Sequence, residues 1–479
     1  MATTRRLHVR APTAPTLEQG IADIKREQAL PLAFPDEVEA LAARVATAPR
    51  LPDLDRTDIE LVTIDPADAM DLDQALSVER SGDGYRVYYA IADVAAFVTA
   101  GDAIDSEAHK RGETLYGADG KIPLHPKVLS ENAASLLPDQ MRPALLWTID
   151  LDATGEGIAV DVRRARVRSR AKLDYAGVQA RVDAGRAEPM WAVLREIGEL
   201  RQQRERKRGG ISLPLPEQEI RSGDDGRWTL EFRARRPVEA WNEQVSLLTG
   251  MAAAHLMVRA RVGVLRTLPK PEAWPIERLR RTAGALDIDW PAAQSYPDFI
   301  RSLDPARPRH VAMMVACTTV LRGAAYVAFN GELPAQPMHW PLASEYAHAT
   351  APLRRLVDRY TGEACVALCA RQPVPDWVLE ALPGLPATMS DADRRASRFE
   401  RAVLDLVEAV TLAPRVGEVF DGAIVDVQRN DPRQGVVMLR DPAIEAPVAS
   451  QSPLPLGEAV RVRLVEADPA RRLTRFELA

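Results

Sequence analysis

The order of apolar and polar positions divides the chain into stretches of different character. Residues 1–50 contain two short amphipathic patterns, TLEQGIADIKREQ and PDEVEALAARVATA, which predict two helices in an otherwise polar arm. Extended runs follow, among them YRVYYAIADVAAFV and the two runs on either side of DATGEG, whose Asp and Gly residues favour a hairpin turn. These runs predict a mixed or antiparallel sheet.

Long helical patterns come next. They are EPMWAVLREIGELRQQRERKRGG, PVEAWNEQVSLLTGMAAAHLMVRA, PRHVAMMVACTTVLRGAAYVAF, PLRRLVDRYTGEACVALCARQ and MSDADRRASRFERAVLDLVEAVTL. In each pattern, apolar residues recur every three to four positions, as they do on one face of a helix. Strands that are followed by helices predict an α+β domain.

The pattern changes again near Arg415. Five short strand-like runs at regular spacing, from GEVFDGAIVDVQ to LTRFELA, predict a small all-β barrel. The expected organisation is therefore an N-terminal arm with short helices over residues 1–50, an α+β domain over 51–412 and a small barrel over 415–479.

The composition is that of a globular protein and does not identify a partner. The 479 residues are 46% apolar with a net charge of −6, which excludes the overall basic character of a non-specific nucleic-acid binder but allows a local basic groove. The sequence shows neither an apolar leader nor a run of about 18 apolar residues, so we expect a cytoplasmic protein with no membrane partner. Cys317, Cys365 and Cys369 lie in apolar contexts and are expected in the core.

An acidic cluster raises the first question of chemistry. In TIDPADAMDLDQAL, the aspartates Asp65, Asp68, Asp71 and Asp73 fall within nine residues, directly after the apolar run IELV. One interpretation is a solvated turn, because Asp is common in turns. The other is a metal site, because Asp71 and Asp73 at i, i+2 point the same way on an extended segment and carboxylates suit Mg²⁺ or Mn²⁺. Such an ion could serve the hydrolysis of a phosphodiester.

Two arginine-containing stretches could meet the phosphates of such a substrate. In YAHATAPLRRLVDRY, Pro352 is predicted to begin a helix with Arg354 and Arg355 in its first turn, where they would either bind an anion or form a surface network. His348 in the same stretch is expected to be structural. In VDVRRARVRSRAKL, the alternation of Arg164, Arg166 and Arg168 fits a phosphate-tracking face as well as it fits a solvated one.

Taken together, these motifs resemble the RNB catalytic domain of the ribonuclease II and ribonuclease R family of 3′-to-5′ exoribonucleases. The motifs TIDPADAMDLDQAL, YAIADVAAFVTAGDAIDSEAHKRGETLYGADGKIPLHPKVLSENAASLLPDQMRP, LDYAGVQ, EAWNEQVSLLTGMAAAHLM and YAHATAPLRRLVD occur in the family's order, within a resemblance that runs from about residue 35 to residue 412. The resemblance implies an RNB domain with a mixed sheet surrounded by helices, followed by an OB-fold RNA-binding barrel. It also implies Mg²⁺-dependent release of nucleoside 5′-monophosphates from single-stranded RNA.

The same resemblance implies roles for individual residues. Asp65, Asp71 and Asp73 match the acidic positions of the family's active site, and Asp73 and Arg354 are the expected catalytic pair. Arg354 matches the arginine on the scissile phosphate, and Tyr116 matches the aromatic residue that clamps the terminal nucleotide. Glu400 matches a substrate-positioning acid of the family. Independently of the resemblance, Arg355 and the alternating Arg164, Arg166 and Arg168 are further expected RNA contacts.

Several positions depart from the family's pattern. Gln74 stands where the family usually has a fourth aspartate, and its carbonyl oxygen is a weaker ligand, so the expected metal set is Asp65, Asp71, Asp73 and Gln74. Ala351, Leu356 and Leu213 replace a usual serine, a usual tyrosine and, in some relatives, a stacking aromatic. Residues 1–50 are too short and too helical for the family's N-terminal cold-shock barrels, so we expect a short form of the enzyme.

Two other functions stay open beside the exoribonuclease. The first is a catalytically weak or inactive RNA-binding protein that keeps the channel, which the glutamine at residue 74 would favour. The second is a phosphodiesterase for short oligonucleotides. In each case we expect single-stranded RNA or its fragments as partner, no organic cofactor, and a monomer.

Overall fold

The computed structural model describes residues 15–213, 217–222, 228–233, 235–439 and 441–479. Its α-helices, named α1 to α12 in chain order, are Pro15–Glu27, Asp36–Ala46, Ala103–Arg111, Tyr175–Asp183, Pro189–Arg208, Pro237–Ala260, Ala273–Ala285, Tyr296–Ser302, Pro308–Thr318, Leu356–Cys369, Asp376–Ala381 and Leu385–Leu412. The two helices predicted for the N-terminal arm are confirmed as α1 and α2.

The strands are named β1 to β18 in the same way. They are Leu61–Asp65, Gln74–Ser81, Gly84–Ala92, Leu115–Gly117, Gly120–Ile122, Met141–Leu151, Gly157–Asp174, Glu217–Ser222, Trp228–Arg233, Val262–Thr267, Ala325–Asn330, Met338–His339, Ser344–Glu345, Val419–Val427, Gln434–Leu439, Glu445–Ala449, Ala459–Asp468 and Leu473–Leu478. Strands therefore come first, helices dominate the middle and strands return at the end, as the sequence pattern predicts.

The first sheet closes into a barrel of order β1-β2-β3-β6-β7. Strand β1 pairs with β7 in parallel, whereas the other neighbours are antiparallel, so the predicted mixed sheet is confirmed. The predicted hairpin joins β6 to β7, where the Asp152 carboxylate accepts hydrogen bonds from the N–H groups of Thr154 and Glu156. Trp147 and Tyr89 fill the interior between this barrel and its surrounding helices.

The second sheet is a smaller closed barrel of order β14-β15-β16-β18-β17, which confirms the predicted all-β barrel of OB type. Phe420 and Phe476 meet edge to face in its core, with ring centroids 5.7 Å apart. Helix α1 belongs to the same hydrophobic cluster through Leu17, Ile21 and Ile24. Its Gly20 lies against Leu406 of α12, so α1 packs closely on the long helix that leads into this barrel.

One predicted helix is wrong in its second half. The pattern PRHVAMMVACTTVLRGAAYVAF is helical in α9, but its last residues form β11, which pairs antiparallel with β10. Gly323 has φ +93°, in the region that favours glycine, and it separates the two elements. In this run of Ala and Val the apolar period does not distinguish a buried strand from a helix, so the structure is decided by the pairing with β10.

Helix α6 is the platform on which the segment from Tyr346 onward lies. The N–H group of Ala347 donates to the carbonyl oxygen of Gly250 over 3.1 Å. A Cβ atom at residue 250 would meet the Tyr346 ring and would lie 2.6 Å from the Ala347 oxygen, so only glycine allows this approach.

Across the part of the chain that the structure describes, no helix is long and apolar enough to cross a membrane.

We expect Gly250→Ala to lower the free energy of unfolding by about 1–3 kcal/mol, because the added methyl group must displace the Tyr346 segment. Urea denaturation monitored by circular dichroism measures this. The matched control is Gly284→Ala in α7, where a Cβ atom would have no neighbour within 4 Å. There the better helix propensity of alanine should raise stability by up to about 1 kcal/mol. Equal effects of the two substitutions would contradict the packing argument.

Candidate functional site

The acidic cluster forms a tight loop at one end of the first barrel. Asp65 is the last residue of β1 and Gln74 the first of β2, so the loop turns back between two antiparallel neighbours. Ser135 fastens the loop: its hydroxyl donates to the Met70 carbonyl over 2.7 Å and accepts from the Leu72 N–H over 3.0 Å. Lys172 adds a hydrogen bond to the carbonyl of Ala67 over 2.9 Å. The carboxylates are therefore held on a fixed backbone.

Asp73 joins this loop to the arginine motif. Its side chain is almost fully buried, with 3% of the residue exposed. One carboxylate oxygen accepts from the Leu353 N–H over 2.7 Å, and the other lies 3.5 Å from Nε of Arg354. Burial raises the pKa of Asp73 well above its usual value, while Arg354 and the Leu353 N–H oppose the rise. Gln74 makes a second link, since its side-chain amide donates to the carbonyl oxygen of Thr350.

The arginine motif differs from its predicted form. Helix α10 begins at Leu356, not at Pro352, so Arg354 and Arg355 lie before the helix. Arg355 forms two hydrogen bonds of 2.8 Å to Asp358, whose Oδ1 also accepts from the Ala351 N–H over 2.7 Å. Two donor groups of Arg355 are thus engaged inside the protein, which gives this residue a structural role, and its RNA contact stays a prediction. Arg354, with 36% of its side chain exposed against 16% for Arg355, is the arginine that faces outward beside Asp73.

A short hairpin of β4 and β5 lies against this motif. The Thr114 N–H donates to the Arg354 carbonyl over 2.9 Å, and Glu113 and Arg355 form an antiparallel bridge. Tyr116, on β4, is 43% exposed. Burial around its hydroxyl, and then the charge of Asp71, raise the pKa of Tyr116. The structure therefore brings Asp71, Asp73, Arg354 and Tyr116 together from three separate parts of the chain.

Two charged residues of this site were missed in the sequence. Lys121, on β5, pairs with Asp71 over 2.6 Å and with Glu131 over 3.2 Å. Glu113 lies half-buried, and burial together with the charge of Asp393 raises the pKa of Glu113 to about 7, although Arg355 and Arg266 oppose the rise. No motif in the sequence marks Lys121, which is placed opposite Tyr116 by the pairing of β4 with β5.

The remaining predicted contacts fall in different surroundings. Arg164 pairs with two buried carboxylates, Asp93 over 2.9 Å and Glu363, while 34% of its own side chain stays exposed. Arg166 lies 3.5 Å from Asp55 and, like Arg168, is half-buried. Their RNA contacts stay predictions.

Two further residues lie close to the arginine motif or the hairpin. Glu400 is half-buried on α12, next to Phe399, and a Cβ atom at Gly117 in the hairpin would meet the Phe399 ring. The RNA contact of Glu400 stays a prediction. His348 is half-buried and its Nδ1 lies 2.6 Å from the hydroxyl of Tyr326. Burial lowers the pKa of His348 well below its usual value, which agrees with the expected structural role.

The donors available at the acidic loop are all oxygens: carboxylates of Asp65, Asp71 and Asp73 and the side-chain carbonyl of Gln74. That chemistry fits a hard divalent ion such as Mg²⁺. Within the described ranges, however, no three His, Cys, Asp or Glu side chains converge closely enough to hold an ion. Lys121 and Arg354 lie beside Asp71 and Asp73 instead. The ligand set is therefore chemically suitable, and its assembly around an ion stays a prediction.

Comparison with protein families gives two matches along the chain. Residues 54–366 match the RNB domain, and residues 418–479 match the C-terminal S1 domain of RNase II-type exonucleases. Ribonuclease R of Escherichia coli is 28% identical over 421 residues, which are 83% of this chain and 51% of that protein. Ribonuclease R of Aquifex aeolicus is 26% identical, over 95% of this chain and 69% of its own length. The chain thus spans about half the length of the Escherichia coli relative.

Solved structures share the fold. Mycoplasma genitalium RNase R, in complex with ribose-methylated single-stranded RNA, superposes with a TM-score of 0.86 at 20% identity, over 97% of this chain and 78% of that chain. Yeast Ssd1, described as a pseudonuclease, superposes with a TM-score of 0.69 at 15% identity, over 91% of this chain and 56% of its own. At such identities the likeness concerns the fold alone.

We expect stability to fall between pH 4.5 and pH 7 through Glu113. The unfolded carboxyl loses its proton near 4.5, whereas the folded one keeps it to about 7. Because the folded state binds this proton more tightly than the unfolded state, the raised pKa of Glu113 contributes stability in full below pH 4.5. That contribution is lost as the pH rises to 7. Between pH 5 and pH 8 the wild type should lose about 2 kcal/mol more than Glu113→Gln, after allowance for screening of a half-buried group.

Denaturant unfolding at the two pH values measures the difference. The control is Glu60→Gln, which makes the same change at an exposed position and should follow the wild type. Parallel pH curves for the wild type and Glu113→Gln would show that the carboxyl is ionised in the folded protein at pH 5, against the expectation.

Proposed function

Because this chain belongs to the RNB family of exoribonucleases, we propose that it hydrolyses single-stranded RNA from the 3′ end to nucleoside 5′-monophosphates, with Mg²⁺, or alternatively Mn²⁺, as cofactor. The observation that carries the proposal is the meeting of Asp73, Arg354 and Tyr116, which come from three separate segments. The Escherichia coli relative is named Ribonuclease R, and the Mycoplasma structure contains single-stranded RNA. Our proposal extends that substrate to this chain.

The Arg354 guanidinium is the group that would hold the scissile phosphate. Its fork can donate two parallel hydrogen bonds to phosphate oxygens. Its backbone is fixed by the Thr114 N–H, and Asp73 lies on the Nε side of its guanidinium. Positioning of this kind matters because a phosphate that is held in line for attack loses little entropy in the transition state.

Tyr116 would hold the last nucleotide of the RNA. The residue is 43% exposed, and the charge of Asp71 in the acidic loop acts on its hydroxyl. A base stacked on this ring would place the terminal phosphodiester near the carboxylates, and stacking of this kind is tolerant of sequence. Mg²⁺ held by Asp65, Asp71, Asp73 and Gln74 would supply an activated water and neutralise charge on the phosphate.

The second candidate is an RNA-binding protein with weak or no catalysis. Two observations favour it: Asp71 is paired with Lys121, and Gln74 stands where the family usually has an aspartate. Both reduce the electrostatic attraction of the site for a divalent ion. The shared fold with a pseudonuclease shows that this architecture occurs without the activity. The predictions of a cytoplasmic location and a monomer belong to either candidate.

The deciding experiment is a time course with 5′-labelled single-stranded RNA and the full chain, in Mg²⁺ and in EDTA. We expect a Mg²⁺-dependent ladder that shortens from the 3′ end. Asp73→Asn should abolish the ladder, because it removes the carboxylate beside Arg354, but should leave the dissociation constant for RNA largely unchanged. It should also be at least as stable as the wild type in EDTA, because a buried carboxylate is costly.

The matched control is Asp68→Asn, the same substitution at an exposed position of the same loop, which should cut like the wild type. RNA that is bound but uncut in both Mg²⁺ and Mn²⁺ would support the non-catalytic binder. Cleavage of short oligonucleotides alone would support a phosphodiesterase for such fragments. Parallel loss of binding and cleavage in Asp73→Asn would contradict the role given to this residue.

A further inference from the structure

The β4–β5 hairpin has two faces with different surroundings. Tyr116 and Lys121 are paired across it, so their side chains leave one face, whereas the next pair, Leu115 and Ile122, leaves the other. Leu115 and Ile122 are 2% and 5% exposed, against 43% for Tyr116. They belong to the hydrophobic cluster that α1, α12 and the second barrel share. The residue proposed to hold the last nucleotide is therefore placed by the packing of the opposite face.

The hairpin is too short to hold its own position. Each of its strands has 3 residues, and an isolated two-stranded hairpin is marginally stable at best. Strand β4 lies against α12, because a Cβ atom at Gly117 would be only 2.8 Å from the Phe399 ring. The orientation of Tyr116 therefore depends on the elements that support the buried face of the hairpin.

Helix α1 packs on the same part of α12. Its buried face belongs to the same hydrophobic cluster as the hairpin. Just after α1, the side-chain amide of Gln28 donates to the carbonyl oxygen of Arg398 over 3.3 Å, one residue before Phe399. Helix α1 and the hairpin therefore reach the same turn of α12.

One ion pair joins α1 to the hairpin directly. The Lys25 ammonium group lies 2.7 Å from a carboxylate oxygen of Asp119, in the turn between β4 and β5. Only 16% of the Lys25 side chain and 26% of the Asp119 side chain are exposed. The Arg26–Asp23 pair is more open, at 72% and 41%, and it joins two residues of one helix, so it should contribute little. The Lys25–Asp119 pair is better shielded from water and links segments that lie 94 residues apart.

From these contacts we propose that Lys25 and Asp119 are positioning residues that hold the hairpin, and with it Tyr116, in the place where the last nucleotide of an RNA stacks. The inference rests on the proposed function and adds α1 to the parts of the chain that shape the substrate site. A hairpin that is already held needs no ordering when the base binds, so less of the binding free energy is lost. Without the ion pair, the hairpin is in the competent position for only part of the time, and the apparent affinity falls by that fraction.

Single-stranded RNA with 2-aminopurine as its 3′-terminal base tests the proposal, because stacking on an aromatic ring quenches the fluorescence of this base. The full chain is titrated in EDTA, which keeps the RNA intact. The wild type should quench the fluorescence and Tyr116→Leu should not. Lys25→Met keeps the length of the side chain but removes its charge, and it should raise the dissociation constant measured by quenching about three- to tenfold. Lys25→Arg restores a cation and should bring the constant back toward the wild-type value.

Two further variants separate this role from a general support of α1. Asp119→Asn removes the same ion pair from the hairpin side and should match Lys25→Met, while the double variant should bind no more weakly than either single one. Arg26→Met replaces the next basic residue of α1, in the exposed pair, and should bind like the wild type.

Unchanged quenching in folded Lys25→Met and Asp119→Asn proteins would overturn the proposal, and so would an equal loss in Arg26→Met. If Lys25→Met does not fold, Asp119→Asn decides alone. A wild type that does not quench the 3′-terminal base would overturn it as well, because there would be no stacked nucleotide to position. A wild type that quenches as expected but leaves RNA uncut in Mg²⁺ and Mn²⁺ would refute the exoribonuclease and leave the role of Lys25 and Asp119 intact.

Discussion

The hydrogen bond between the Asp73 carboxylate and the Leu353 N–H is the interaction on which the site depends. A carboxylate this deeply buried is tolerated only with partners, and here its partners come from a segment 280 positions later in the chain. The bond therefore fixes the acidic loop and the arginine motif relative to each other. The hairpin that carries Tyr116 is positioned by the same motif, because the neighbouring Thr114 N–H donates to the Arg354 carbonyl.

Around this link, arginines that look alike in the sequence have separate tasks. Arg355 is closed on Asp358, and Arg164 on Asp93 and Glu363, so both hold the protein together. Arg354 keeps part of its fork toward solvent. Adjacent arginines in one motif thus divide into an internal clamp and an outward donor. The two arginines differ because Arg355 is hydrogen-bonded to the buried carboxylate of Asp358, three residues later in the chain.

The local pattern of the sequence was enough to predict a mixed or antiparallel first sheet, the small barrel, the hairpin at Asp152 and most helices of the described residues, but not the closure of the first sheet through the pairing of β1 with β7. It was not enough for the start of α10, where the Arg355–Asp358 pair holds residue 355 outside the helix, or for β11, which is decided by its partner β10. The acidic loop and Tyr116 could be found from their motifs. Lys121 and Glu113 could not, since Lys121 acquires its meaning only beside Asp71, and Glu113 only beside charges that lie more than 100 residues away.

The packing of α1 has a consequence for the order of events during synthesis. Its residues Leu17, Ile21 and Ile24 share a hydrophobic cluster with Val403 and Val407 of α12 and with the second barrel. A ribosome that adds about 5–20 residues per second must work for roughly 20–80 s after α1 emerges before α12 is available. Throughout that interval the apolar face of α1 lacks its final partners. The hydrophobic cluster around α1 therefore forms only after α12 and the second barrel have been synthesised. Its contacts join residues that are far apart in the sequence.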